Sequence, residues 1–153
     1  MTEALSIPLL KKSIGKAVKE DPKRLGHGHT AKTSFWILST GEILPWSSWK
    51  KEWKRIIDDK DAISFHSHSS ASGKDDKGFE TFSGGDIQSL RKGYHNQMGL
   101  ISAKGELHIL KGGNWKKEDE RFEENIPEDM DKTEYLKKLA KDRGGELVIT
   151  KWR

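Results

Sequence analysis

Two histidines and a later Ser-x-x-Asp are the residues of this chain that could perform chemistry together. His66 and His68 lie at the end of an apolar run, and Ser83 and Asp86 follow after a Ser/Gly/Lys/Asp segment. Residues two apart on a β-strand point to the same face, so both imidazoles can reach one point. Two imidazoles and a carboxylate, with the fourth position left to water, are typical of catalytic zinc. We therefore predict a Zn2+ site formed by His66, His68 and Asp86.

The pattern Ser83-x-x-Asp86 is also typical of a helix N-terminus. Ser83 can cap the helix, and Asp86 at the third helical position can bond back to the cap and is favoured by the helix dipole. The two interpretations are compatible, because a capped first turn aims Asp86 at whatever lies beyond the strand end. A His-x-His pair alone is more often incidental. Its combination with Ser-x-x-Asp and with Gly84-Gly85, which lets backbone come close, favours metal binding.

Length and composition exclude several classes of protein. The 153 residues are enough for one domain with a real core, and six Trp and five Phe supply large apolar side chains. No apolar stretch is long enough to cross a bilayer, and the N-terminus lacks signal-peptide features, so we expect a soluble protein with no membrane partner. The absence of cysteine excludes disulfides and a cysteine nucleophile. The net charge of +4 comes from interleaved acids and bases, so nucleic-acid binding is allowed but not indicated.

Helical and strand patterns alternate along the chain. The predicted elements are a helix from Ser6 to Val18, a hairpin of strands at 34–38 and 42–44 that turns at Thr40-Gly41, a helix around 49–57, a strand from Ala62 to His66, a helix from Ser83 to Lys92, strands at 98–102 and 106–110, and, within 131–153, a helix capped by Asp131-x-x-Glu134 and a strand. We predict a single domain over 1–153, with the motif-bearing core at about 62–111. Between this core and the last helix, the segment 112–130 is predicted to be a charged connection anchored by Trp115, Phe122 and Ile126.

This order of elements resembles the JAB/MPN fold of the JAMM metallopeptidases. Their motif, His-x-His-Pro followed by a spacer and Ser-x-x-Asp, corresponds here to His66, His68, Ser83 and Asp86. The stretch from Ile63 to about Leu110 looks most like the JAB-like toxin domains at the C-terminal ends of bacterial polymorphic toxins. The resemblance implies an α+β, sandwich-like fold in which helices flank a mixed, curved β-sheet.

The resemblance also implies roles for the motif residues. In such families the two histidines and the aspartate bind zinc, the serine assists the tetrahedral intermediate, and an upstream glutamate is the general base. This chain has Ser69 in place of the proline and Lys32-Thr33-Ser34 where the glutamate is expected. The base is therefore left open among several residues that lie before His66 in the sequence: Glu20, His27, His29, Glu42 and Glu52.

The function that follows from the resemblance is a zinc-dependent peptidase or isopeptidase. Zinc lowers the pKa of bound water to about 7, and Ser83 is the predicted catalytic donor to the oxyanion. Such a domain would be a secreted or delivered effector that acts on a protein or peptide in a target-cell cytoplasm and meets a cognate immunity protein.

Two other functions stay open at this point. A nuclease toxin could use several histidines together with the lysines; the candidates are His27, His29, His66, His95 and His108. It would need a continuous basic face, whereas Asp75, Asp76, Glu80 and Asp86 surround the predicted site with acid. A noncatalytic MPN-type module would explain the missing base, but it has no use for intact metal ligands.

Overall fold

The computed structural model describes residue 12 and residues 34–45, 48–67, 81–101 and 106–151. The helix predicted from Ser6 to Val18 lies outside these residues, apart from Lys12, which is helical. The described strands are β1 (Ser34–Ile37), β2 (Ile43–Pro45), β3 (Ile63–Ser67), β4 (Gln97–Ile101), β5 (Glu106–Lys111) and β6 (Glu146–Lys151). The described helices are α1 (Trp49–Asp58), α2 (Gly84–Arg91), a 3-10 helix (Lys117–Asn125) and α3 (Lys132–Asp142).

The strands form one mixed sheet in the order β2-β1-β3-β4-β5-β6. Strands β3 and β4 are parallel, and every other neighbouring pair is antiparallel. A parallel pair needs a crossover connection, and α2 lies on the one that joins β3 to β4. The predicted α+β class with a mixed sheet and helices is confirmed.

The main core lies between one face of the sheet and three helices. Met98 and Leu100 on β4 are buried there with residues of α2, the 3-10 helix and α3, namely Ile87, Leu90, Phe122, Leu136, Leu139 and Ala140. A smaller cluster on the same face packs Ile56 of α1 against Trp36 and Leu44. Phe35 and Phe65, which alternate with these positions along β1 and β3, are also fully buried. Both strands thus have buried side chains on two faces, and the continuous apolar run Phe35-Trp36-Ile37 of β1 is typical of such a strand.

The segment 112–130 joins β5 to α3 but is an ordered part of the core. Two of its predicted anchors, Trp115 and Phe122, are buried, and residues 117–125 form the 3-10 helix, which the sequence pattern did not indicate. Arg143, just after α3, holds this segment through two hydrogen bonds of 2.7 and 2.8 Å to Asp119. The amide of Asn114 also donates to the carbonyl oxygen of Arg143 at 2.7 Å.

The helices of the described ranges are short and amphipathic. None of them has the length and apolar content needed to span a membrane.

Candidate active site at the β3–α2 crossover

His66 lies on β3, as predicted, one residue before the strand ends at Ser67. Its backbone is in register with Ser34 on β1 and with Leu100 on β4. The side chain of His66 and the whole of His68 lie outside the described part of the chain. The predicted convergence of the two imidazoles with Asp86 therefore stays a prediction.

Ser83 and Asp86 form the capping box that the sequence predicts at the start of α2. The Asp86 amide donates to Ser83 Oγ at 3.3 Å, and the Ser83 amide donates to Asp86 Oδ2 at 2.8 Å. The Ser83 hydroxyl also donates to Asp86 Oδ2 at 3.2 Å, which is longer than a typical O–H···O bond. The Asp86 carboxylate is consequently fixed over the first turn of the helix, with the Ser83 hydroxyl weakly bound beside it.

Thr81 connects the entry of α2 to the centre of the sheet. Its hydroxyl lies 2.9 Å from Nδ1 of His108 on β5, and both residues are fully buried. His108 is opposite Leu100, which is in register with His66, so the three positions form one row across the sheet. Strands are about 4.8 Å apart, so the α-carbons of His66 and His108 are separated by roughly 10 Å. Thr81 is two residues before Ser83, so the chain approaches the start of α2 at the row of the sheet that contains His66.

Replacing Thr81 with valine tests this connection. The variant keeps the shape of the side chain but removes the hydroxyl bonded to His108, and losing a buried partner costs about 1–3 kcal/mol. We expect the free energy of unfolding, measured with urea, to fall by that amount. Thr150, which is half-buried on β6, provides the control, because its replacement with valine should change stability by less than about 0.5 kcal/mol. Equal effects of the two changes would contradict the connection.

Glu123 of the 3-10 helix binds the first turn of α2, which also carries Asp86. Its Oε1 accepts the Gly84 amide at 2.8 Å, and its Oε2 lies 3.0 Å from Nζ of Lys132. Lys132 is buried, with its ammonium 5.9 Å from the centre of the Phe122 ring. Burial alone would raise the pKa of Glu123, but the Gly84 hydrogen bond and the Lys132 ammonium outweigh it and lower the pKa. Asp86 opposes them through its negative charge, so these two carboxylates affect each other.

The backbone at Gly84 lies directly against the 3-10 helix. A β-carbon at this position would be 2.1 Å from the carbonyl oxygen of Glu120. Glu120 also pairs through its carboxylate with Arg91 in the last turn of α2. The 3-10 helix therefore holds α2 at its first and its last turn, with Glu123 at one end and Glu120 at the other.

Two of the candidate general bases lie at the wrong end of the sheet. Both Glu42 and Glu52 pair with the guanidinium of Arg55, which joins the start of β2 to α1. The backbone carbonyl oxygen of Glu42 accepts the Leu38 amide. Leu38 directly follows Ile37, which is paired with Ile63 at the start of β3. His66 is three residues farther along β3, so it lies roughly 10 Å from Ile63. Glu20, His27 and His29 lie outside the described residues.

The remaining described histidines occupy different places. His108 is in the row of His66, as above. His95 precedes β4 and lines a small pocket with Trp36, Ile56 and Tyr94, at the end of the sheet opposite to His66. A single catalytic centre cannot use both.

Sequence reasoning did not identify Glu123 or the Thr81–His108 pair as parts of this site. Glu123 is 39 positions from Gly84, and Thr81 is 27 from His108, so no local spacing links them. The only sequence signal for Glu123 was the neighbouring anchor Phe122, which predicts that this part of the segment contacts the core.

The side chains that the structure describes include no group of three His, Cys, Asp or Glu residues that could hold a metal ion. Two of the three predicted ligands, His66 and His68, are not among those side chains. Comparison with known proteins gives no match to a protein-family model, to a curated protein or to a solved structure. The JAB/MPN resemblance thus depends on the motif residues and the order of elements.

Proposed function

We propose that this chain is a zinc-dependent hydrolase of peptide or isopeptide bonds, with His66, His68 and Asp86 as metal ligands and Ser83 as a catalytic residue. The observation that carries the proposal is the position of the α2 entry. Thr81 bonds to His108 in the row of His66, so the chain enters the capped turn with Asp86 at the row of the sheet that contains His66, which supports a site shared by these elements.

The donor set suits zinc. Two neutral imidazoles and one carboxylate leave a coordination position for water, which is the composition of catalytic zinc sites. The capping bonds to Oδ2 use only part of the acceptor capacity of Asp86, because an ionised carboxylate has about four lone-pair sites on its two oxygens. When bound, zinc supplies a Lewis acid that polarises a carbonyl group and lowers the pKa of water to about 7.

Ser83 is suited to stabilise the developing oxyanion. Its hydroxyl donates to Asp86 Oδ2 at a weak 3.2 Å, so turning that proton toward a substrate oxygen gives up little. A donor of this kind contributes about 2.7–4 kcal/mol to the transition state. Glu42 and Glu52 are bound to Arg55 at the other end of the sheet, so we assign the role of general base to one of Glu20, His27 and His29.

The charge around α2 favours a peptide substrate over a nucleic acid. A phosphate backbone would be repelled by the Asp86 carboxylate, whereas Lys132 compensates the charge of the neighbouring Glu123. We retain the biological setting that the motif resemblance implies, a delivered effector with a protein substrate and a cognate immunity protein. A nuclease and a noncatalytic metal-binding module are the outcomes against which the proposal is tested.

A comparison of two variants tests the proposal. Replacing His66 with alanine leaves two protein ligands, too few for stable catalytic zinc, so zinc binding and proteolysis or growth inhibition should be lost. Replacing the exposed α3 lysines Lys137, Lys138 and Lys141 with glutamine changes only a screened surface charge and should leave both unchanged. Zinc content per chain and both activities are measured on folded protein.

The alternatives predict different results. A chain with one tightly bound zinc and no hydrolysis would be the noncatalytic module. The nuclease function replaces the peptidase function if two results are obtained. The wild type must bind no zinc and degrade RNA or DNA, and growth inhibition must be lost in the lysine variant but not in His66→Ala.

A further inference from the structure

We propose that Glu123, held in place by Lys132, is a positioning residue of this site, which fixes the first turn of α2 and thereby the direction of Asp86. For its effect on zinc, this inference rests on the proposed function. Its effect on the α2 turn is independent of any metal. Nothing in the Ser-x-x-Asp motif assigns a role to a carboxylate so far along the chain.

The first turn of a helix has amide groups without partners inside the helix, and here side chains bind them. The Asp86 amide is capped locally by Ser83, whereas the Gly84 amide is bound by Glu123 from a different element. A local cap fixes the turn relative to itself. The bond from Glu123 fixes it relative to the 3-10 helix, which α3 and Arg143 in turn hold against the core.

Lys132 makes this arrangement electrostatically tolerable. Two carboxylates, Glu123 and Asp86, interact at one helix end, and like charges so placed repel each other. The Lys132 ammonium, 3.0 Å from Glu123 Oε2, compensates one of them. Because Lys132 is buried, its ammonium is held in place rather than moving freely in solvent. Glu123 can then bind the Gly84 amide next to Asp86 without leaving two uncompensated carboxylates at one helix end.

The contacts of Glu123 distinguish positioning from acid–base catalysis. Its Oε1 accepts the Gly84 amide and its Oε2 pairs with Lys132, and both contacts stabilise the ionised carboxylate and lower its pKa, which makes it a weaker base. A general base must instead present an oxygen to the attacking water. Glu123 therefore acts through α2 rather than on the substrate.

The test compares Glu123→Ala with Glu124→Ala, a matched change at the neighbouring exposed glutamate. Amide hydrogen exchange is measured on the metal-free full chain. In Glu123→Ala, exchange at Ser83, Gly84 and Asp86 should be at least 10-fold faster relative to Glu124→Ala, while exchange at Leu90 is unchanged. Zinc affinity, measured by titration with zinc alone, should fall 10- to 100-fold, which is the usual effect of losing a residue that orients a metal ligand.

The double variant Glu123→Gln with Lys132→Met separates position from charge. The glutamine oxygen can still accept the Gly84 amide, and removing both charges avoids leaving a buried ammonium without its partner. If Glu123 acts through its bond to the Gly84 amide, the exchange rates and the zinc affinity of this variant should stay within about 3-fold of the wild type. This change is much smaller than the loss expected for Glu123→Ala.

The outcomes distinguish the two proposals. Unchanged exchange at Ser83–Asp86 in a folded Glu123→Ala chain would overturn the positioning role, whatever the metal does. Wild-type zinc affinity in that variant would overturn the role at the metal site and leave the proposed function intact. If the wild-type chain binds no zinc, the proposed function fails, and the exchange data alone decide the role of Glu123.

Discussion

Replacing Gly84 with alanine should destabilise the protein by about 3 kcal/mol or more, the upper range for overpacking a well-packed contact. The added β-carbon would lie 2.1 Å from the backbone carbonyl oxygen of Glu120. A backbone atom cannot rotate away as a side chain does, so α2 or the 3-10 helix must move. The movement would also break the bond from the Gly84 amide to Glu123. Urea unfolding measures the loss, and zinc titration should show weaker binding in whatever fraction stays folded.

Gly85 supplies the matched control for this change. A β-carbon there would have Ser83 Oγ as its nearest neighbour, at an ordinary contact distance of 3.6 Å. Alanine is the better helix former by up to about 1 kcal/mol, so Gly85→Ala should leave stability unchanged or raise it. Equal destabilisation by the two substitutions would show that the Gly84 effect is not caused by the 3-10 helix.

The features that the sequence predicts well are those whose partners lie a few residues apart. The cap of α2 by Ser83 and the cap of α3 by Asp131 were both predicted from one spacing and are confirmed; in the second, the Glu134 amide donates to Asp131 at 2.7 Å. The hairpin from β1 to β2 is also confirmed, with Gly41 at a φ of 89°, where glycine is favoured. Such signals are local, so neighbouring residues determine them.

The features that the sequence does not predict depend on partners far apart. Glu123 could have paired with many cations in a chain whose residues are 34% charged, and nothing in its neighbourhood indicates Gly84 or Lys132. The 3-10 helix is not predicted for the same reason. Its position is determined by contacts with residues distant in the sequence, which are made by Asp119, Glu120 and Glu123. Its own sequence, rich in acids with one buried Phe122, is typical of a loop.

The candidate site divides in the same way. The positions of His66 on a strand and Asp86 on a capped turn follow from local patterns and are confirmed. Glu42 and Glu52 were candidate bases by sequence distance alone. The hairpin directs Glu42 to the end of the sheet opposite to His66, where Arg55 binds both carboxylates. Strand direction rather than sequence separation decides which carboxylates can reach the end of β3 that carries His66.

Replacing Asp119 with alanine should cost about 1–3 kcal/mol of stability, because Arg143 and the Lys116 amide lose an ionised acceptor that is itself buried. Asp119 is buried and accepts two bonds from Arg143 and a third, at 2.7 Å, from the Lys116 amide. Urea unfolding of the neighbouring Glu118→Ala variant provides the control. Glu118 is exposed and lies 3.8 Å from the same guanidinium, so its loss should cost no more than about 1 kcal/mol.

The Asp119 pair should also make stability depend on pH in a defined direction. Burial would raise the pKa of Asp119, but the bonds from Arg143 and the Lys116 amide outweigh it and hold the pKa below its ordinary value. An unfolded aspartate titrates near pH 4, so the stabilisation is complete above about pH 5 and is lost as the pH falls through the lower, folded pKa. The free energy of unfolding of the wild type should therefore drop more steeply below about pH 4 than that of Asp119→Asn, which cannot titrate. Parallel curves for the two proteins would mean that Asp119 has the same pKa in both states, and the ion pair with Arg143 would then not be what fixes the 3-10 helix beside α2.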